Sequence, residues 1–263
     1  MKIGLGKKES LLIKTLMEKQ KHIFTTKTAV RILKTKKTAV NEMLKGLVKK
    51  GWLIRIKRGL YLIIPLEAGP ESKYTEHNFI IASHLVAPYY IGFWGALNFH
   101  GFTEQVPNTV FIATTKTLRN RKIFGTNYKF VKIKQKKFFG FKKYFIANKP
   151  VCISNKEKTI VDCFDRPELC GGTSEAIKPL LTKEEIDYKK LIVYAEKTGG
   201  ACLKRIGFVL EKLKLADASK LLKKVKSGYV YLDILAPKKG KYNSKWNIVE
   251  NIDLKKLKKE VLA

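Results

Sequence analysis

The spacing of apolar positions along the chain changes period at Gly51. Before it, LLIKTLMEKQ, opening at Ser10, places Leu12, Ile13 and Leu16 on one helical face. TAVRILK predicts a second short helix that starts near Thr26 or Thr28. A third helix is predicted after Thr35, read as its N-cap: Val40, Met43, Leu44, Leu47 and Val48 recur at helical spacing and define one buried stripe. Gly51 fits the position just past a helix end. After it, WLIRIK and LYLIIP read as two strands around an Arg58-Gly59 turn. Helix, helix, helix, hairpin is the order of a winged helix-turn-helix.

Beyond the hairpin, LEAGPESKYTEHN carries the Gly, Pro and polar residues of a linker. The predicted division is residues 1–66 for the winged helix-turn-helix, 67–75 for the linker and 76–263 for a larger domain. In the latter, EHNFIIASHLV and GFWGALNFHG read as helices, and TVFIATT, NYKFVKIK and KKYFIAN as strands, with turns near Arg119-Asn120 and Gly125-Thr126. Ser154 with Glu157, and Thr182 with Glu185, have the spacing of capping boxes. ACLKRIGFVLEKL gathers Ile206, Val209, Leu210 and Leu213 on one helical side, and YVYLDIL and WNIVEN read as further strands. The lysine-rich LKKLKKEVLA is expected to project into solvent. The fold class is α+β: an N-terminal winged helix-turn-helix followed by a larger mixed α/β domain.

Composition adds a partner class. Hydrophobic residues make up 45% of 263, enough for a real core. Lys and Arg number 54 against 22 Asp and Glu, a formal charge of +32. A heat-adapted composition raises Lys and Glu together, whereas here Lys rises alone, so the surplus points to a polyanion, with double-stranded DNA first. On the third helix Lys36, Lys37, Thr38, Asn41 and Lys45 would face the groove, and Asn41 would suit a bidentate contact to adenine. Arg55, Lys57 and Arg58 would form the wing over a phosphate backbone. The plainer alternative for each lysine is a solvated helix face. A second basic block runs from Lys116 to Lys143, in a stretch without acids between Glu104 and Glu157. Lysine-protected sheet edges explain it more simply than contact with DNA or an acidic partner.

Catalytic and metal chemistry find weaker support. Glu157, Asp162, Asp165 and Glu168 cluster in EKTIVDCFDRPELCGG, where a divalent metal for a nuclease or nucleotidyl-transferring enzyme is one reading. Helix capping and pairing of Asp162 with a lysine is the other. His22, His77, His84 and His100 are scattered, and phosphate-loop, dinucleotide and nucleophile-elbow motifs are absent. Gly171-Gly172 reads as a tight turn. No catalytic residue, metal or cofactor is expected. Cys152, Cys163, Cys170 and Cys202 lack the spacing of a zinc site and read as reduced, buried thiols. With no secretory or membrane-spanning pattern in the sequence, a cytoplasmic protein is expected, away from membranes. FWGALNF and the run Phe138, Phe139, Phe141, Tyr144, Phe145 could stack on single-stranded bases, but core packing is the simpler account.

Several segments together resemble the AbiEi-type antitoxins of abortive-infection toxin–antitoxin systems, also described as transcriptional regulators of viral defence. They are KRGLYLI, YYIGFWGALNFHGFTEQVPNTVFIAT, EKTIVDCFDRPELCGG, GACLKRIGFVLE and WNIVEN, spread over residues 10–250. The resemblance implies an N-terminal winged helix that binds promoter repeats and represses its own operon. It also implies a C-terminal domain that counteracts a nucleotidyltransferase-like toxin. Repeats imply two protomers, a homodimer in solution or on DNA. By position, the match carries over the helix and wing face, including Arg58, Gly59 and Tyr61.

Overall fold

The computed structural model describes residues 4–64, 76–182 and 185–262. They form two compact units, Met1–His77 and Asn78–Ala263. The predicted linker, 67–75, lies outside the described residues.

In the first unit, helix α1 (Lys7–Glu18), strand β1 (Ile23–Thr25), helices α2 (Thr26–Leu33) and α3 (Lys37–Lys49), and strands β2 (Leu53–Lys57) and β3 (Leu60–Ile63) follow in order. The apolar stripe is where the spacing placed it: Val40, Leu44 and Leu47 of α3 are buried with Leu12, Ile13 and Leu16 of α1, and Met43 and Val48 pack against them. The three strands form one antiparallel sheet in the order β1-β3-β2. β1 is too short to carry a periodic signal, so the sequence does not announce it. It exists because Ile23, Phe24 and Thr25 pair with Leu62, Tyr61 and Leu60.

Two helix starts differ from the expectation. α1 begins at Lys7, with the Gly6 amide donating to the Glu9 carboxylate at 2.8 Å, so Ser10 sits inside the helix. α3 is preceded by Lys36 without a side-chain cap, because the Thr35 hydroxyl donates to the Leu33 carbonyl at 2.9 Å instead. The chain leaves α3 through Gly51 at φ +75°. It turns between β2 and β3 at Gly59, φ +73°, a left-handed position that favours glycine.

The second unit is built on a six-stranded mixed sheet in the order β6-β7-β5-β4-β9-β8. Its strands are β4 (Tyr90–Ile91), β5 (Thr109–Thr114), β6 (Arg121–Ile123), β7 (Thr126–Lys132), β8 (Phe141–Ile146) and β9 (Lys149–Ser154). β5 runs parallel to β7 and antiparallel to β4, and β4 runs parallel to β9. The edge strands β6 and β8 expose Arg121, Lys122, Lys142 and Lys143, the lysine protection expected of open edges. β8 and β9 are joined through Ala147 and Asn148, both at positive φ, as a tight hairpin needs.

Helices α4 (Asn78–Ser83), α5 (Phe93–Phe99), α6 (Lys156–Asp165), α7 (Thr173–Leu181), α8 (Tyr188–Thr198), α9 (Gly200–Lys212) and α10 (Leu254–Leu262) complete the unit, with a small sheet of β10 (Val230–Tyr231), β12 (Ile248–Glu250) and β11 (Lys241–Asn243). α6 and α9 are buried on nearly every side, their apolar residues sharing one cluster with Leu191, Leu221 and Trp246. Asn155, not Ser154, caps α6, accepting from the Lys158 amide at 2.9 Å; Ser154 instead bonds the Thr159 hydroxyl at 2.7 Å. Likewise Asp187 caps α8 at 3.0 Å, while Thr182 closes α7. The C-terminal lysine-rich segment does not project: it is an amphipathic helix, α10, with Leu254 buried and Leu257 packed against the core.

Candidate nucleic-acid interface

α3, the start of α2 and the hairpin enclose one groove of ≈ 1040 Å³. Its position follows from local pairing. The amide of Thr26, the first residue of α2, donates to the Gly59 carbonyl at 3.0 Å. Thr25 caps α2, accepting from the Thr28 amide at 3.2 Å. Through β1, then, the turn of the hairpin is bonded to the start of α2, and α2 packs on α3. A register irregularity between Arg55 and Lys57 accompanies the turn.

Lys37, Thr38, Asn41 and Lys45 line this groove from α3, and Arg55 and Arg58 from the hairpin. All except the half-buried Asn41 are exposed. Lys36, at the N-terminal edge of α3, is exposed but outside the groove lining, and so is Lys57, which is half-buried. Tyr61 lines the groove but belongs to the hydrophobic cluster: it is 4% exposed and stacks on Phe24 with ring centroids 5.9 Å apart. Tyr61 therefore packs beneath the wing while still lining the groove.

The groove also contains residues that the sequence reading passed over. Thr25, Thr26 and Lys27 reach it from the β1–α2 junction, and Glu42 from α3. Glu42 pairs with Lys45 at 2.7 Å, so one lysine of the face is already answered by an acid. The capping pattern of Thr25 and Thr28 was the available signal for the junction, but without β1 its orientation toward the wing is invisible.

The acids of the second unit do not converge. Asp162 pairs with Lys158 and accepts from the Tyr90 hydroxyl at 2.8 Å. Asp165 pairs with Lys137 at 2.6 Å and Glu157 with Lys190 at 2.8 Å. Among the described residues, no group of three His, Cys, Asp or Glu side chains is placed to hold a metal ion. His100 directs Nε2 at the Ser154 carbonyl, 2.7 Å away, and Cys163, Cys170 and Cys202 are buried free thiols. The aromatic runs are largely packed: Phe138 and Phe141 lie against Tyr90, Phe139 against Tyr194 and Tyr144 against Phe99, leaving Phe145 at 72% exposure. No helix among the described residues is long and apolar enough to cross a membrane.

No curated protein sequence matches the chain. The crystal structure of the RV2827C protein from Mycobacterium tuberculosis is similar with a TM-score of 0.65 at 12% identity, covering 98% of this chain and 96% of that one. At such identity the likeness speaks for the fold. The family model for transcriptional regulators described as AbiEi antitoxin matches residues 12–64, the stretch that builds α2, α3, the hairpin and the groove between them. Over residues 12–64, then, the N-terminal unit is similar to the transcriptional regulators described as AbiEi antitoxin.

Proposed function

We propose that this chain is a sequence-specific double-stranded DNA-binding repressor of its own promoter and the antitoxin of an abortive-infection toxin–antitoxin system. The supporting observation is the groove itself, where two cationic walls flank Thr38 and Asn41. Cations on α3 and on the hairpin neutralise phosphates on either side of a major groove, while Thr38 and Asn41 reach base edges. Lys36 and Lys57, outside the groove lining, extend the phosphate contacts. Promoter repeats would be read by two protomers, as a homodimer assembled on DNA. The second unit would counteract a nucleotidyltransferase-like toxin in the cytoplasm, acting as a binding module without catalysis.

Fluorescence anisotropy with the chain's own promoter duplex tests this. For about 6–10 phosphate contacts, log affinity should fall against log salt with a slope of roughly −5 to −9. A Lys37→Ala/Arg58→Ala double variant should bind the promoter at least about tenfold more weakly at physiological salt with unchanged thermal stability. Full affinity in that variant would overturn the reading.

A further inference from the structure

A second anion-binding geometry lies in the second unit, where α8 ends and α9 begins. Thr198 closes α8, Gly199 lies at φ +70° and Gly200, at φ +60°, opens the 13-residue α9. No side chain caps α9 and no acid stands in its first turn. Its leading amides therefore face outward with the positive end of the helix dipole behind them. A side chain at Gly200 would meet nothing within 4 Å, so the backbone there is open to an approaching ligand.

An independent observation points to an occupant. Thr198 is only 4% exposed, yet its hydroxyl has no hydrogen-bond partner among the described residues. A buried hydroxyl without a partner is uncommon in a folded protein, because it has lost water and gained nothing. Thr198, Gly199 and Gly200 line two adjoining clefts, of ≈ 560 Å³ and ≈ 370 Å³. Lys132, Lys134 and Lys136 border the first, and Lys223 and Lys226 the second. The acids nearby are already engaged: Asp165 holds Lys137 at 2.6 Å and Glu196 holds Lys224 at 2.6 Å. Helix amides, a waiting hydroxyl donor and surplus lysines together suit a tetrahedral dianion better than a carboxylate. Neither cleft is lined by an aromatic ring that would stack a base.

We propose that the α8–α9 junction binds a phosphate group. The Thr198 hydroxyl and the first-turn amides of α9 donate to the phosphoryl oxygens, and Lys136, which borders both clefts, supplies charge. A small phosphorylated molecule and a nucleic-acid backbone present the same oxygens, and the site is independent of the α3 groove.

The test is an amide-resolved NMR titration of the full chain with inorganic phosphate, against chloride at matched ionic strength. Saturable shifts at Gly199, Gly200 and Ala201 are expected with phosphate alone. Thr198→Val should weaken them about tenfold, the loss of a hydrogen bond to a charged group. Lys136→Gln, an exposed change that leaves packing alone, should weaken them a few-fold. A parallel titration with a short non-operator duplex names the source. Movement of the same amides assigns the site to backbone phosphates, and their silence, with phosphate still binding, assigns it to small phosphorylated ligands. Non-saturating shifts spread over all lysines, or saturable ones that neither variant alters, would overturn the proposal.

Discussion

Lys158 and Asp162 stand one helical turn apart on α6 and pair with each other inside the second unit, where the lysine side chain is fully buried. The Tyr90 hydroxyl donates to the second carboxylate oxygen at 2.8 Å, and the Phe139 ring lies 4.7 Å from the ammonium. The pair ties α6 to β4 and to the segment before β8. Removing one partner strands the other charge in an apolar setting, a loss of about 3–5 kcal/mol for Lys158→Met. Lys158→Met/Asp162→Asn, which removes both charges, should recover a large part of it. Denaturant unfolding of both variants checks this, and equal losses would refute it.

Gly207 of α9 lies against Trp246 so closely that a Cβ would stand 2.0 Å from the ring. Gly207→Ala should cost roughly 2–3 kcal/mol through overpacking. Gly207→Ala/Trp246→Phe, with a smaller ring at the contact, should be less affected than the sum of its parts. Thermal or denaturant melts of the single and double variants measure the coupling.

Glu42 is the acid in the α3 groove and holds Lys45. Glu42→Gln frees that lysine for phosphate. Binding to unrelated duplexes should tighten a few-fold, and the salt slope should steepen by about 1. Anisotropy titrations across a salt series, with promoter and scrambled duplexes in parallel, give both quantities.

Burial lowers the pKa of His100, against the opposing pull of the Ser154 carbonyl, with Lys156 nearby adding to the lowering. The folded chain therefore holds this imidazole neutral at pH values where the unfolded chain protonates it. Its contribution to stability is complete above the ordinary histidine range and is lost as pH falls through it toward the lowered folded value. His100→Gln keeps a donor for Ser154 and should flatten the fall in stability between about pH 7 and pH 5. Melts of both proteins across that range decide the matter.

The α3 stripe of Val40, Leu44 and Leu47, the stop at Gly51 and the Arg58-Gly59 turn were all readable in the chain. Each is a local pattern: helix period, a glycine at a helix end and a short hairpin leave their mark within about a dozen consecutive residues. The same holds for the surplus of positive charge and for the lysines along the sheet edges. Thr35 and Ser154 do not cap as their spacing predicts, because a hydroxyl chooses among several partners and the neighbouring structure settles that choice. Strand β1 exists through its pairing with β3, and with it the placement of Thr26 and Lys27 in the groove. Tyr61 reads as a surface match until Phe24 is found stacked on it. Asp162, Asp165 and Glu157 look like a metal cluster in one dimension and prove to be three separate lysine partners in three. The amino-acid order thus established which residues are apolar, where the chain bends and what sign of charge it carries. Contacts between distant segments chose the partners of Asp165 and Glu157, and left the Thr198 hydroxyl without one among the described residues. Burial, and pairings such as Lys137 with Asp165, depend on neighbours far apart in the chain, whereas periodicity is a property of neighbours along it.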